Sequence, residues 1–181
     1  MRSLLPLLLI LLATAAAHLL DPWGLSLHDA DARSHDWHRL LRVSGSLLTW
    51  LAAGLALALH DRSGRRAGPL VLSAGLSGLA AEVAKVAVRR ARPGDAAGYA
   101  FEPWAGAWWE TGGLGLPSSH AAVAFGAAWA ALRLSPRGGW VVVALAVGCG
   151  LTRVLDRAHF VSDVVAAAGL AWLVSAAVWR P

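Results

Sequence analysis

Thr152 to Asp163 reads Thr-Arg-Val-Leu-Asp-Arg-Ala-His-Phe-Val-Ser-Asp, a polar and charged run inside an otherwise apolar chain. If a helix begins near His159, then Asp163 lies four residues on along the same face, close enough to hold the imidazole by a hydrogen bond. An imidazole held in that way is an oriented, basic nucleophile. Arg153, six residues upstream on the approach to that helix, carries the planar, permanently charged fork that grips a phosphate oxygen at two points. The same stretch also fits a helix-capping salt-bridge cluster at a membrane surface, and both readings stand on these residues alone.

Two further groups invite the same question. Lys85, Arg89 and Arg92 are offset by four and seven residues, which predicts one cationic stripe on a helix that Pro93 ends. Cations so arranged repel unless an anion lies between them. Glu82, one turn from Lys85, reads as its neutralising partner, while Arg89 and Arg90 fit snorkelling to lipid headgroups. In Pro117-Ser118-Ser119-His120, Ser118 is a good N-cap, so the free N–H groups of the first turn, that of Ser119 included, would face an anion beside His120. Taken alone, this quartet is a routine helix start.

The elements that must position these residues are set by composition. Of 181 residues, 57% are hydrophobic and only 15% charged, which predicts an integral membrane protein of a single domain, residues 1–181. The net charge of +5 comes from 15 arginines and one lysine, without the basic stripe and interleaved aromatics that nucleic-acid binding would need. Cys149, the single cysteine, sits in an apolar run and reads as packing.

Six spanning segments are expected: 4–20, 40–60, 69–88, 118–134, one around 140–151, and 159–179. Ala15 and Ala17 imitate a signal-peptide cleavage site, but with five apolar segments following, the first reads as a retained anchor. Arg62, Arg65 and Arg66, then Arg133 and Arg137, mark cytoplasmic turns, so both termini are expected inside. The acidic loop 21–39 then faces outward, and His28, His35 and His38 within it match no metal-ligand spacing. The apolar core of the fifth segment is short for a span and must lean on its neighbours.

Between the third and fourth segments, residues 94–117 hold glycines together with Trp104, Trp108 and Trp109. Glycine lets the chain fold back and tryptophan prefers the headgroup zone, which predicts an interfacial or re-entrant lid able to select a headgroup or lipid chain. An aromatic belt without selectivity fits the same residues. This all-α, six-helix topology would bring the ends of segments three and five and the starts of four and six to one outer face. Every unusual polar residue named above falls there.

In these residues the chain resembles the type 2 phosphatidic acid phosphatase superfamily, whose signature is Lys-x6-Arg-Pro, Pro-Ser-Gly-His and Ser-Arg-x5-His-x3-Asp. Here it reads Lys85 to Arg92-Pro93, Pro117-Ser118-Ser119-His120, and Thr152-Arg153 with His159 and Asp163 at matching spacing. The motif-bearing part covers about 69–170, and the similarity reaches from about residue 40 to the end. Ser119 stands where the family usually has glycine, and Thr152 replaces serine.

The resemblance implies His159 as the attacking nucleophile, Asp163 as stabiliser of the imidazolium, and His120 as the acid that protonates the leaving oxygen and then activates water. It implies that Lys85, Arg92, Ser118, Ser119 and Arg153 bind phosphate, with no metal and no other cofactor. The expected substrate is a lipid phosphate or diphosphate at the outer face of a bacterial inner membrane: undecaprenyl diphosphate, phosphatidylglycerol phosphate, phosphatidate or a lipid A phosphate. No nucleic acid and no obligatory protein partner are implied beside the membrane lipids. A lipid-to-lipid phosphotransferase is the alternative reaction. A non-enzymatic transporter would spread its polar residues through the membrane depth instead of gathering them at one end.

Overall fold

A computed structural model describes residues 4–61, 65–94, 98–105 and 107–179. Arg2, Arg62, Gly106 and Arg180 fall outside the described residues. The described residues form eight α-helices in order: α1 Leu5–Ala17, α2 Asp21–Ser26, α3 Asp36–Val43, α4 Leu47–His60, α5 Ala67–Val88, α6 Ser119–Leu134, α7 Pro136–Leu155 and α8 Val161–Val178. Among the described residues no strand forms. Two isolated bridges pair Arg90 with Phe101 and Ala91 with Leu114.

Among the described residues, four helical stretches are long and apolar enough to cross a membrane: Leu5–Ser26, Ala67–Val88, Pro136–Leu155 and Val161–Val178. The first runs on past residue 20 through a 3-10 turn, so part of the expected polar loop is helical. The second expected segment is a bent pair, α3 and α4 meeting at 66°, and counting it as one span gives five. The fifth expected segment needs less support than its apolar core implied, because Ser135 caps it and Pro136 opens it, extending α7 to 20 residues.

Helix α6, with 16 residues, is only about 24 Å long, yet it is the centre of the molecule. Its face of Ala121, Ala122, Ala124, Ala127 and Ala128 is fully buried, and it packs against α5, α7 and α8. Small residues let these backbones approach closely, the usual basis of helix association in lipid. At Gly126 a Cβ would lie 2.4 Å from the Ser73 carbonyl oxygen, so the α5–α6 crossing needs glycine there. Large apolar side chains such as Leu48, Leu55, Leu79, Val83 and Val141 point outward, the reverse of a water-soluble protein and consistent with a bilayer around the bundle.

Helix α5 stops at Val88, because Arg89 turns into the left-handed region with φ 56°. Residues 90–92 then run between two returning segments. Ala91 N–H donates to the Ala100 carbonyl and Glu102 N–H to that of Arg89 on one side. Arg92 N–H donates to Gly113 and Gly115 N–H to Arg90 on the other. The predicted helical stripe of Lys85, Arg89 and Arg92 is therefore absent, since only Lys85 is on the helix.

Candidate functional site

The C-terminal ends of α5 and α7 and the N-terminal ends of α6 and α8 meet at one end of the bundle, tied by bonds between residues distant in sequence. Ser118 N–H donates to the Asp163 carbonyl at 3.1 Å, linking the starts of α6 and α8. The α3–α4 elbow lies against the same place: a Cβ at Gly45 would meet Cys149 Sγ at 2.8 Å and His120 Cβ at 2.9 Å. Only glycine permits that approach.

His159 precedes α8 instead of opening it. Asp163, in the first turn, accepts the Phe160 N–H on Oδ2 at 2.9 Å and so fixes the N-cap at Phe160, one residue beyond the histidine. The His159 ring is buried, and its Nδ1 donates to the Gly115 carbonyl at 2.9 Å, with Asp163 Oδ2 farther off at 3.5 Å. The expected imidazole–carboxylate bond is thus secondary to a main-chain one. With Nδ1 carrying the proton, the lone pair is on Nε2. Burial holds the His159 pKa below the usual imidazole range, against the pull of Asp163 and with help from the Arg153 and Arg92 charges, so the ring is neutral near pH 7. Gly115 is itself constrained, since a Cβ there would meet Asp163 Oδ2 at 3.0 Å.

The expected phosphate ligands are in differing states. Lys85 is buried and its Nζ donates to Glu82 Oε1 at 2.9 Å, the pairing read from the sequence. Ser119 Oγ also donates to Glu82 Oε1, so the hydroxymethyl that replaces the family's glycine is turned away towards α5. Ser118 caps α6, its Oγ accepting from Ala121 N–H at 3.5 Å, which leaves its own proton available. Arg92 is exposed, with one long bond of 3.4 Å to the Leu114 carbonyl. Arg153 is buried in the last turn of α7; its Nη1 donates to Asp156 Oδ2 at 3.1 Å and its Nε has no hydrogen-bond partner among the described residues. Thr152 Oγ1 donates to the Cys149 carbonyl at 2.7 Å and serves the helix, not the site. His120 lies within Coulombic range of Arg153, Arg42, His159 and Lys85.

Several participants were not legible in the sequence. Asp156, its carboxylate fully buried, accepts Arg33 Nε at 2.9 Å and Arg153 Nη1 at 3.1 Å. His38 Nε2 approaches the same carboxylate at 3.1 Å, at an angle that is not that of a hydrogen bond. The loop 21–39, to which the sequence reading gave no chemistry, therefore backs a cationic residue of the site. Arg42, at the end of α3, adds a charge near His120 and Arg153. Arg90, expected at the headgroups, is instead fully buried and paired with Asp163.

The segment over this end keeps its tryptophans outward: Trp104, Trp108 and Trp109 are all exposed. Arg89 stacks over the Trp104 ring at 5.6 Å and donates to the carbonyls of Glu102 and Trp108. To one side of His120 opens a cavity of about 370 Å3, lined by Glu82, Ser119 and His120 and otherwise by Gly45, Leu47, Gly75, Gly78, Leu79 and Val123. Among the described residues no three His, Cys, Asp or Glu side chains converge as a metal-binding group.

Neither a curated protein nor a solved structure matches the chain. A family model does, over residues 66–180, and that stretch contains all three motifs and every helix end that meets here. The chain belongs to the PAP2 superfamily and is an enzyme that hydrolyses phosphate esters.

Proposed function

We propose that the protein is a metal-independent lipid phosphatase working through a phosphohistidine at His159. The observation that carries this reading is the fixed tautomer of His159. A buried, neutral ring donates from Nδ1 to the Gly115 carbonyl and so leaves its Nε2 lone pair free, within the field of Arg153 and Arg92.

In the first step Nε2 attacks phosphorus, forming an N–P bond as the bond to the lipid oxygen breaks. His120 gives that oxygen its proton and the lipid alcohol leaves. His120 then takes a proton from water, which attacks phosphorus, releases inorganic phosphate and restores the imidazole. Asp163, 3.5 Å from Nδ1, stabilises the positive charge that the ring carries in between. Lys85, Arg92 and Arg153 balance the equatorial oxygens, as a metal ion does in other phosphoryl-transfer sites, and Ser118 with the Ser119 N–H adds donors. The unpartnered, buried Nε of Arg153 fits a guanidinium whose missing acceptor is substrate.

The lipid class of substrate is supported by the cavity beside His120. Its lining is polar at Glu82, Ser119 and His120 and otherwise glycine and aliphatic, the pattern that an ester oxygen followed by a hydrocarbon chain would fill. Counting α6 and the bent pair gives six spans in one domain, with both termini and the turns at Arg65, Arg66, Arg133 and Arg137 on the cytoplasmic side. The site then faces outward from a bacterial inner membrane, under a lid in which Trp104, Trp108 and Trp109 sit at headgroup depth. The test is phosphate release by purified protein from phosphatidate, phosphatidylglycerol phosphate, an isoprenyl diphosphate and a lipid A phosphate, in EDTA. Release without metal supports the reading, and strict dependence on added metal would overturn it. Equal phosphate transfer to a lipid acceptor would point to the transferase reaction.

A further inference from the structure

A second polar cluster lies behind Asp163, built from residues that no motif specifies. Asp21, where α1 passes through a 3-10 turn into α2, is buried. It accepts Ser162 N–H on Oδ1 at 2.8 Å, and Ser162 Oγ and Tyr99 Oη on Oδ2 at 2.6 and 2.8 Å. Ser162 Oγ, its proton spent on Asp21, accepts Arg90 Nη2 at 2.9 Å. The same Nη2 donates to Asp163 Oδ1. Arg90 Nη1 lies 2.9 Å from His18 Nε2. Because His18 Nδ1 reaches the Thr14 carbonyl at 2.8 Å, that nitrogen holds the ring proton and Nε2 accepts from the arginine. The guanidinium rests against an edge-to-face pair of rings, Tyr99 and Phe160, whose centroids are 5.1 and 4.9 Å from it and 5.0 Å from each other.

The chemistry of Asp163 explains why such a cluster is needed. Its carboxylate is fully buried, and a buried anion needs a compensating charge. A neutral His159 supplies none, so Arg90 is its counter-ion. Arg90 in turn is aimed by Ser162 and His18, and Ser162 is held by Asp21. Tyr99 joins the same carboxylate from the segment above the site, and its hydroxyl is pushed up to about 12 by partial burial and by Asp21, so it stays a donor at all ordinary pH.

We propose that Arg90 and Asp21 are positioning residues for the His159–Asp163 pair, which makes the N-terminal segment, outside the family-matched stretch, a working part of the site. The proposal rests on the reading of His159 as nucleophile. The Asp163 charge is balanced and its carboxylate aimed by Arg90, and the start of α8 is kept in place by the two bonds that Asp21 receives from Ser162. Asp21→Asn keeps the shape but offers N–H groups where Ser162 and Tyr99 also donate. Arg90→Gln keeps one donor and removes the counter-ion.

The experiment measures kcat and KM for phosphate release from phosphatidate by detergent-purified wild type, Asp21→Asn, Arg90→Gln, the double variant, Ser162→Ala and His159→Ala. Loss of activity in His159→Ala first establishes the underlying reading; retention there would sink that reading itself. Asp21→Asn and Arg90→Gln should each lower kcat at least tenfold with KM within about twofold, because the phosphate ligands are untouched. The double variant should be no worse than Arg90→Gln by more than about twofold, since both act along one path. Removing the counter-ion leaves Asp163 to favour the protonated ring against Arg153, Arg92 and His120, so the acid limb of the Arg90→Gln pH profile should move up. If the first two variants do not accumulate, Ser162→Ala, which keeps the backbone N–H to Asp21, should still lower kcat severalfold at unchanged KM. Variants that fold with kcat within twofold of wild type and an unmoved acid limb would overturn the proposal.

Discussion

Replacing Asp156 with asparagine separates the grip on phosphate from its support. The Asp156 carboxylate is fully buried and receives Arg33 Nε, Arg153 Nη1 and the approach of His38. The Arg33 side chain is 61% exposed, so its pairing is solvent-screened and contributes little. What remains is one charge-assisted bond holding Arg153 in a buried position, worth about 2 kcal/mol when its acceptor loses its charge. If that bond sets the aim of Arg153 in the transition state, kcat/KM falls by a factor of about 30. The assay is initial-rate phosphate release from a lipid phosphate, with Arg153→Ala and the double variant alongside. In the Arg153→Ala background, Asp156→Asn should then cost almost nothing more. Folded Asp156→Asn with kcat/KM within about threefold of wild type, or an undiminished loss in the Arg153→Ala background, would refute the reasoning.

Three further outcomes follow. The acid limb of kcat/KM should lie below the free imidazole value of about 6.5, because burial lowers the His159 pKa. Below that value the unfolded chain takes a proton that the folded ring refuses, so stability should also fall with pH there, and an acid limb above pH 7 would contradict both. Gly45→Ala should cost about 1–3 kcal/mol of stability and lower activity, since the new Cβ would meet Cys149 Sγ at 2.8 Å and His120 Cβ at 2.9 Å; thermal unfolding with activity checks it. The intact mass of protein purified from membranes should include residues 1–20, because His18 and Ile10 pack against Arg90 and Gly169, whereas a cleaved segment would appear as a chain starting near His18.

The three motifs were legible because their spacing is independent of how the chain bends between them, and Ser118, Lys85, Glu82 and Cys149 occupy the places their types imply. Helix ends were less legible. Arg89 takes a left-handed cap that glycine usually occupies, so nothing in Lys85 to Pro93 announces that α5 has stopped. His159 falls outside α8 because Asp163 bonds the Phe160 N–H, a capping role that competes with the expected bond to the imidazole. Partners brought together across more than a hundred residues, such as Asp21 with Ser162 and Arg33 with Asp156, leave no local pattern. Composition placed Asp21 and Arg33 in an outward loop, which explains charge but not which charge is buried. The 16-residue length of α6 and the 66° bend before α4 likewise depend on neighbours, not on hydropathy.

The most direct test of the central claim is chemical trapping of the enzyme during turnover. Protein mixed with a 32P-labelled lipid phosphate and quenched in base within milliseconds should carry label that survives alkali, is lost in acid, and maps to the peptide containing His159. The label should be absent in His159→Ala and should persist longer in His120→Ala, which lacks the group proposed to activate water. Label on another residue, or steady turnover in His159→Ala, would contradict the account.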